Sequence, residues 1–72
     1  MRFATPEEIK RLREAYPVGC RVELTCMDDP QAPSIGTLGA VTGVDDTGSI
    51  MVNWDNRSTL SIVFGVDRCR RV

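Results

Sequence analysis

Histidine is absent from this chain, and with it the side chain that most often acts as a catalytic base near neutral pH. A hydroxyl or thiol nucleophile would therefore lack its usual activating base. An excess of positive charge is also missing, since nine basic and ten acidic side chains give a formal net charge of -1. Proteins that bind nucleic acid without sequence preference usually carry a basic excess, because much of their affinity comes from phosphate contacts. We therefore predict no enzymatic activity and do not favour a general nucleic-acid binder.

Long apolar runs are missing too. No segment approaches the ~18 consecutive apolar residues that a membrane-spanning helix needs, and residues 1–5 contain no apolar core of a signal peptide. The three cysteines, Cys20, Cys26 and Cys69, are an odd number and do not form a disulfide framework. We expect a cytoplasmic protein with free thiols and no membrane segment.

The cysteines also lack the CxxC spacing that is typical of zinc sites. Cys20 and Cys69 flank the first and last predicted strands, which would bring them near each other. A zinc-binding regulator is therefore a weaker alternative, and we predict no metal and no cofactor.

Three independent signals predict a short helix over residues 6–16. Thr5 can cap the free amides, Pro6 suits the first helical position, and Glu8 can complete a capping box with Thr5. Pro17 then ends the helix, because the residue before a proline is disfavoured in the α region. The apolar positions on one face are Ile9, Leu12 and either Ala15 or Tyr16.

Residues 18–72 show the alternation of half-buried strands. The clearest case ends at the only tryptophan, where Ile50, Val52 and Trp54 share one face. Gly39 and Gly43 interrupt another strand and indicate a bulge or a bend. The predicted strands cover residues 21–26, 37–44, 50–54, 59–63 and 68–72. The residues predicted to point inward on the first and fourth of these are Val22, Leu24, Cys26, Leu60 and Ile62.

The turns fit this reading. Residues 27–36 form a long loop with two prolines, and residues 45–48 form a tight hairpin with Gly48 at positive φ. Five short strands with one long loop predict a single domain over residues 1–72. Its fold class is mainly β: a five-stranded Src-homology-3-like barrel over residues 18–72, preceded by one short amino-terminal α-helix. An oligonucleotide-binding barrel is the rival, but it usually has a helix between its middle strands.

Six blocks of sequence occur in the same order as in a known bacterial family. The chain resembles the family called domain of unknown function 4314 over nearly its whole length. The resemblance implies a small accessory protein of a phage or conjugative element, with no assigned activity. The blocks are YPVG (16–19), RVEL (21–24), MDDPQAP (27–33), GVDDTGSI (43–50), VNWDN (52–56) and GVD (65–67).

The chain departs from the family pattern at three positions. It has Arg57 where the pattern has glycine, Cys20 where threonine is usual, and Phe64 where tyrosine is usual. Arginine tolerates positive φ poorly, so Arg57 argues against a tight type I′ turn after Asn56.

Our leading hypothesis is a protein-binding module that contacts a host or element protein through the barrel rim. This rim would combine residues 27–36, 45–48 and 54–57, because loops at the end of such barrels often bind extended peptides. The competing interpretation is that the aspartates shape their turns and that Trp54 fills the interior. The predicted contact residues are Asp28, Asp29, Pro30, Trp54, Asp55, Asn56 and Arg57.

The second hypothesis is nucleic-acid binding through arginines near the two ends of the chain. It places the phosphate contacts on Arg11, Arg68, Arg70 and Arg71. Neither hypothesis requires a membrane, and the sequence sets no oligomeric state.

Overall fold

Helix α1 spans Pro6–Ala15 in the computed structural model, which describes residues 3–72. The predicted capping box is confirmed: Glu8 N donates to Thr5 Oγ1 at 3.2 Å, and Thr5 N donates to Glu8 Oε1 at 3.0 Å. The helix ends one residue earlier than predicted, because Tyr16 has left the helical region with φ -125° and is followed by Pro17. This exit agrees with the steric restriction on a residue before proline.

The helix contacts the rest of the chain through one narrow apolar stripe and two arginines. Ile9 is buried in the core, and Leu12 packs against it at the edge. Arg13 donates from Nη2 to the Val44 carbonyl oxygen at 3.0 Å. Arg71 Nη1 donates to the Ala15 carbonyl oxygen at 3.3 Å, where a cation stabilises the carboxyl end of a helix. A helix this short is not stable alone, so these contacts hold it.

Four antiparallel strands follow the helix, in the spatial order β3-β2-β1-β4. Among residues 3–72, β3 and β4 are the two edges, and the sheet does not close into a barrel. The predicted mainly β class with one short helix is confirmed, whereas five strands are not observed. The strands are β1 (Arg21–Cys26), β2 (Leu38–Val44), β3 (Ile50–Trp54) and β4 (Arg68–Arg71).

The predicted strand at residues 59–63 is reduced to a single bridge between Ile50 and Ile62. Its carbonyl at Leu60 accepts a hydrogen bond from the indole Nε1 of Trp54 at 2.8 Å. The Leu60 amide donates to the side chain of Ser58. Because side chains bind both backbone groups of Leu60, the strand ladder stops after one pair.

The core lies between the helix and the inner face of the sheet, as the alternation predicted. Trp54 is 3 % exposed, and Val22 and Leu24 are buried. The prediction that Cys26 also points inward is wrong, since Cys26 is exposed. The β1–β4 register shifts between Leu24 and Cys26, so the alternation breaks at that bulge. The other buried hydrophobic residues are Ala4, Ile9, Val41, Val44, Ile50, Val52 and Ile62.

The two glycines of β2 serve different purposes. Gly43 lies at a register shift against β3, which confirms the predicted bulge. Gly39 lies opposite Trp54 in a regular part of the ladder. A β-carbon on Gly39 would lie 2.6 Å from Val52 Cγ1 and 2.8 Å from Trp54 Cε3. Gly39 therefore lets the side chains of Val52 and Trp54 pack directly against the backbone of β2, and it does not mark a bend.

Two turns share one hydrogen-bond pattern. In the first, Gly48 N donates to the Asp45 carbonyl at 3.1 Å and Asp45 N to the Ser49 carbonyl at 3.0 Å. In the second, residues 54–58 repeat this pattern, with both distances 2.9 Å. This is the three-residue hairpin loop whose last residue has positive φ. Gly48 has φ 89°, as predicted, and Arg57 in the equivalent place has φ 74°. Arginine thus occupies a position that favours glycine.

Replacing Gly39 with alanine should destabilise the protein by about 2 kcal/mol, because the added methyl group overlaps the core. Gly43→Ala is the matched control, since its β-carbon would meet only the mobile Met51 Cε at 3.0 Å. Its effect should stay within about 0.5 kcal/mol. Urea unfolding measures both variants, and equal losses would contradict the close-packing account.

Arg57→Gly should stabilise the protein by about 1 kcal/mol, because glycine adopts positive φ without the β-carbon penalty. Arg57→Ala removes the same side chain but keeps the β-carbon, so it should give no comparable gain. Thermal unfolding should show an increase in Tm of roughly 4–8 °C for glycine alone. An equal gain for alanine would show that the side chain, not the backbone, is the source of the effect.

Candidate functional site

The loops predicted to form one rim lie at two different ends of the sheet. The 45–48 hairpin joins β2 to β3 at the end opposite Trp54. It packs on the helix region instead: Ala4 N donates to the Thr47 carbonyl at 3.3 Å, and Arg13 pairs with Asp46 at 3.2 Å. The hairpin therefore does not share a surface with the Trp54 turn.

The loop after β1 does share a surface with the segment that leads into β4. The two enclose an open groove of about 260 Å³, which we call the rim groove. Asp28 and Asp29 were predicted at the rim, but the opposite wall was not, because residues 59–63 were predicted to form a strand. The groove is lined by Met27, Asp28, Asp29, Leu60, Ser61, Val63, Val66 and Asp67.

The opposite wall is apolar and open to solvent. Val66 is 63 % exposed and Val63 is 36 % exposed, while Leu60 and Met27 are half-buried. Val63 and Val66 lie on either side of Gly65, and this spacing was a usable sequence signal for the apolar wall. Exposed apolar side chains that cluster often mark an interaction surface.

Two of the groove's aspartates shape their own loops, as the competing interpretation predicted. Asp29 Oδ1 accepts from Gln31 N at 2.8 Å, and this turn has Pro30 at its second position. Asp67 Oδ2 accepts from Val63 N at 3.0 Å. Asp28 is exposed and makes no hydrogen bond or ion pair with the described part of the chain.

Trp54 contributes to the rim groove through a hydrogen bond and not through its surface. Its ring lies in the core, as the competing interpretation predicted, so Trp54 is not the surface contact residue that the leading hypothesis expected. Its Nε1–H holds the Leu60 carbonyl, and Leu60 forms part of the groove wall. The role of Trp54 at this site is therefore to position the wall.

The predicted contact residues after Trp54 lie outside the lining of the rim groove. Both oxygens of Asp55 accept from the guanidinium of Arg21, which lowers the pKa of Asp55. Asn56 Oδ1 accepts from Ser58 N at 2.9 Å. Arg57 is exposed at the tip of the turn.

The arginines of the nucleic-acid hypothesis lie on two elements: Arg68, Arg70 and Arg71 belong to β4, and Arg11 belongs to α1. Arg70 Nε donates to Glu23 Oε1 at 2.6 Å, and Arg71 Nη1 donates to the Ala15 carbonyl oxygen at the end of α1. Arg11 lies on the exposed face of the helix, near Glu7 and Glu14. Two of these four arginines are therefore already engaged by other groups of the chain.

A second groove, of about 290 Å³, lies between the helix and the segment before β4. Tyr16, Phe64, Arg68 and Cys69 line part of it. Burial and the nearby Cys20 raise the pKa of the Cys69 thiol to about 11, so this thiol is protonated and weakly nucleophilic at neutral pH. The structure thus gives Cys69 no catalytic activation.

The zinc alternative required all three cysteines to meet. Cys20 and Cys69 are half-buried and near enough to interact, whereas Cys26 is exposed beyond the bulge. Within residues 3–72, no group of three or more cysteine and acidic side chains is placed to hold a metal ion. The same residues include no helix that is long and apolar enough to cross a membrane.

These features define a small, mainly β domain in which one capped helix packs on a four-stranded antiparallel sheet. The model of the family described as Domain of unknown function (DUF4314) matches residues 5–72. The chain belongs to this family, which confirms the resemblance seen in its sequence blocks. No curated protein and no solved structure matches the chain.

Loss of the Asp45 charge should weaken the fold in acid. The Thr47 hydroxyl, together with the amides of Ser49, Thr47 and Gly48, lowers the pKa of Asp45 from its usual 3.8. The stabilisation is therefore present above pH 3.8 and is lost as the pH falls through the lower folded-state pKa. Asp45→Asn should cost about 1 kcal/mol at neutral pH and make stability less dependent on pH in acid.

Urea unfolding at neutral pH and at roughly pH 3, near the usual aspartate pKa, measures this effect. Asp28→Asn removes the same charge from a side chain without contacts, so its curve should follow that of the unmodified protein. An Asp45→Asn variant with an unchanged acid transition would exclude Asp45 as a source of that transition.

Proposed function

We propose that this protein is a small non-enzymatic protein-binding module of a phage or another mobile genetic element, which engages a host or element protein through the rim groove. The observation that carries this proposal is the open apolar wall formed by Val63 and Val66. Exposed apolar side chains around a concave surface are typical of interaction sites.

The dimensions of the rim groove also favour a protein ligand. At about 260 Å³ it is smaller and more open than the enclosed pockets of roughly 300–1,000 Å³ that bury small molecules. It can take one or two side chains of a chain that continues over the surface on both sides. The residues of its lining offer carboxylates and a hydroxyl but no activated nucleophile.

The architecture supports the same proposal. We infer that the sheet is a Src-homology-3-like arrangement in which the Ile50–Ile62 bridge takes the place of the fourth strand and Arg68–Arg71 is the fifth. Folds of this kind bind extended peptides through loop ends. Three free thiols, one of them exposed, support a reducing cytoplasmic location.

The nucleic-acid hypothesis has less support. Arg70 and Arg71 would have to give up contacts with Glu23 and the helix end before they could bind phosphate. The proposal therefore remains a protein partner.

Val66→Ser tests the proposal by affinity capture from the native host, with mass spectrometry of the proteins retained after a high-salt wash. Burying one valine stabilises a complex by about 1.5–3 kcal/mol, so recovery of the partner should fall about tenfold or more. Val18→Ser is the matched control, because Val18 is 75 % exposed but lies away from the groove. It should leave recovery unchanged.

Circular dichroism and thermal unfolding of both variants establish that they fold equally well. Proteins that Val66→Ser loses and Val18→Ser retains are the partners expected. Identical recovery from all three proteins would overturn the rim groove as the binding surface.

A further inference from the structure

We infer that the rim groove binds an extended segment of its partner in which an apolar residue lies beside arginine or lysine. This inference rests on the proposed function and adds the chemical class of the ligand. It follows from the charge of the groove and from its apolar wall taken together.

Three carboxylates line the groove, from Asp28, Asp29 and Asp67. None of the lysines and arginines within residues 3–72 lines it. Asp29 and Asp67 each use one oxygen to accept a backbone amide, which leaves the other oxygen available. The Asp28 carboxylate has both oxygens available toward solvent, because Asp28 is exposed and makes no hydrogen bond or ion pair with the described residues.

Three carboxylates elsewhere on the surface are paired with arginines. Glu23 pairs with Arg70, and Asp46 pairs with Arg13. Asp55 pairs with Arg21. The three carboxylates of the rim groove, in contrast, form no ion pair with the described residues, although the formal net charge of the protein is only -1.

Contact with a neutral or acidic segment would desolvate these carboxylates without compensation, which costs free energy. An arginine or lysine supplies the compensating hydrogen bonds, and its methylene stem can lie along Val63 and Val66. A small apolar residue between two such cations fits against Leu60 and Met27. The wall and the carboxylates thus favour the same kind of ligand.

The test uses a labelled soluble peptide with a central valine between two arginines in a glycine–serine context, and the same peptide with glutamate in place of arginine. Fluorescence anisotropy at low salt should show binding of the arginine peptide and none of the glutamate peptide. Affinity should fall steeply as salt increases, because exposed charges are screened.

The double variant Asp28→Asn with Asp29→Asn should weaken binding of the arginine peptide about tenfold. The matched control, Glu7→Gln with Glu14→Gln, removes the same charge from the exposed face of α1 and should leave affinity unchanged. Equal losses in the two double variants would show that the overall charge of the protein, not the groove, causes the loss, and would overturn the inference. Equal binding of the two peptides would also overturn it, and so would no binding of the arginine peptide.

Failure of this inference is distinguishable from failure of the proposed function. If partner capture depends on Val66 while the arginine peptide does not bind, the groove is a protein-binding surface of another specificity. If neither depends on groove residues, both proposals fall.

Discussion

The indole of Trp54 makes the two contacts on which this small domain most depends, one with Gly39 and one with the Leu60 carbonyl. Its ring lies against the bare backbone of Gly39, at a distance that leaves no room for a β-carbon. Its Nε1–H binds the Leu60 carbonyl, which draws the segment after β3 back over the core. A domain of this size has little buried surface to spare, so one large side chain with a satisfied polar atom has a disproportionate effect. The same hydrogen bond fixes the position of Leu60, which is one residue of the rim-groove wall.

Arginine side chains link the helix and the strands at the surface of the domain. The helix is held by two hydrogen bonds from arginines: Arg13 donates to the Val44 carbonyl at the end of β2, and Arg71 donates to the Ala15 carbonyl. Pairs such as Arg70–Glu23 then cross the outer face of the sheet. Exposed pairs contribute little stability each, but these contacts engage two of the four arginines of the nucleic-acid hypothesis, Arg70 and Arg71. The carboxylates of the rim groove form no such pair with the described residues, and they lie beside the exposed Val63 and Val66.

Local patterns were sufficient for much of the fold. The capping box, the end of the helix before Pro17 and the turn at Gly48 depend on a few adjacent residues, so their chemistry could be recognised in the sequence. The strand ending at Trp54 was equally clear, because its alternation is uninterrupted. The predicted strand at residues 59–63 is reduced to one bridge because the backbone of Leu60 binds the side chains of Trp54 and Ser58, and alternation carries no information about such bonds.

The rim groove was predicted less well than the core. Asp28 and Asp29 were placed correctly in a loop, but the facing wall of Val63 and Val66 comes from a segment more than thirty residues away. The chain alone specified a capped helix, short amphipathic strands and family membership, since each is encoded in neighbouring residues or ordered blocks. Only the folded arrangement decided that Cys26 faces solvent, that Arg57 accepts positive φ, and which loops share a groove. Those outcomes depend on strand register and on side-chain contacts between distant segments, which no local pattern contains.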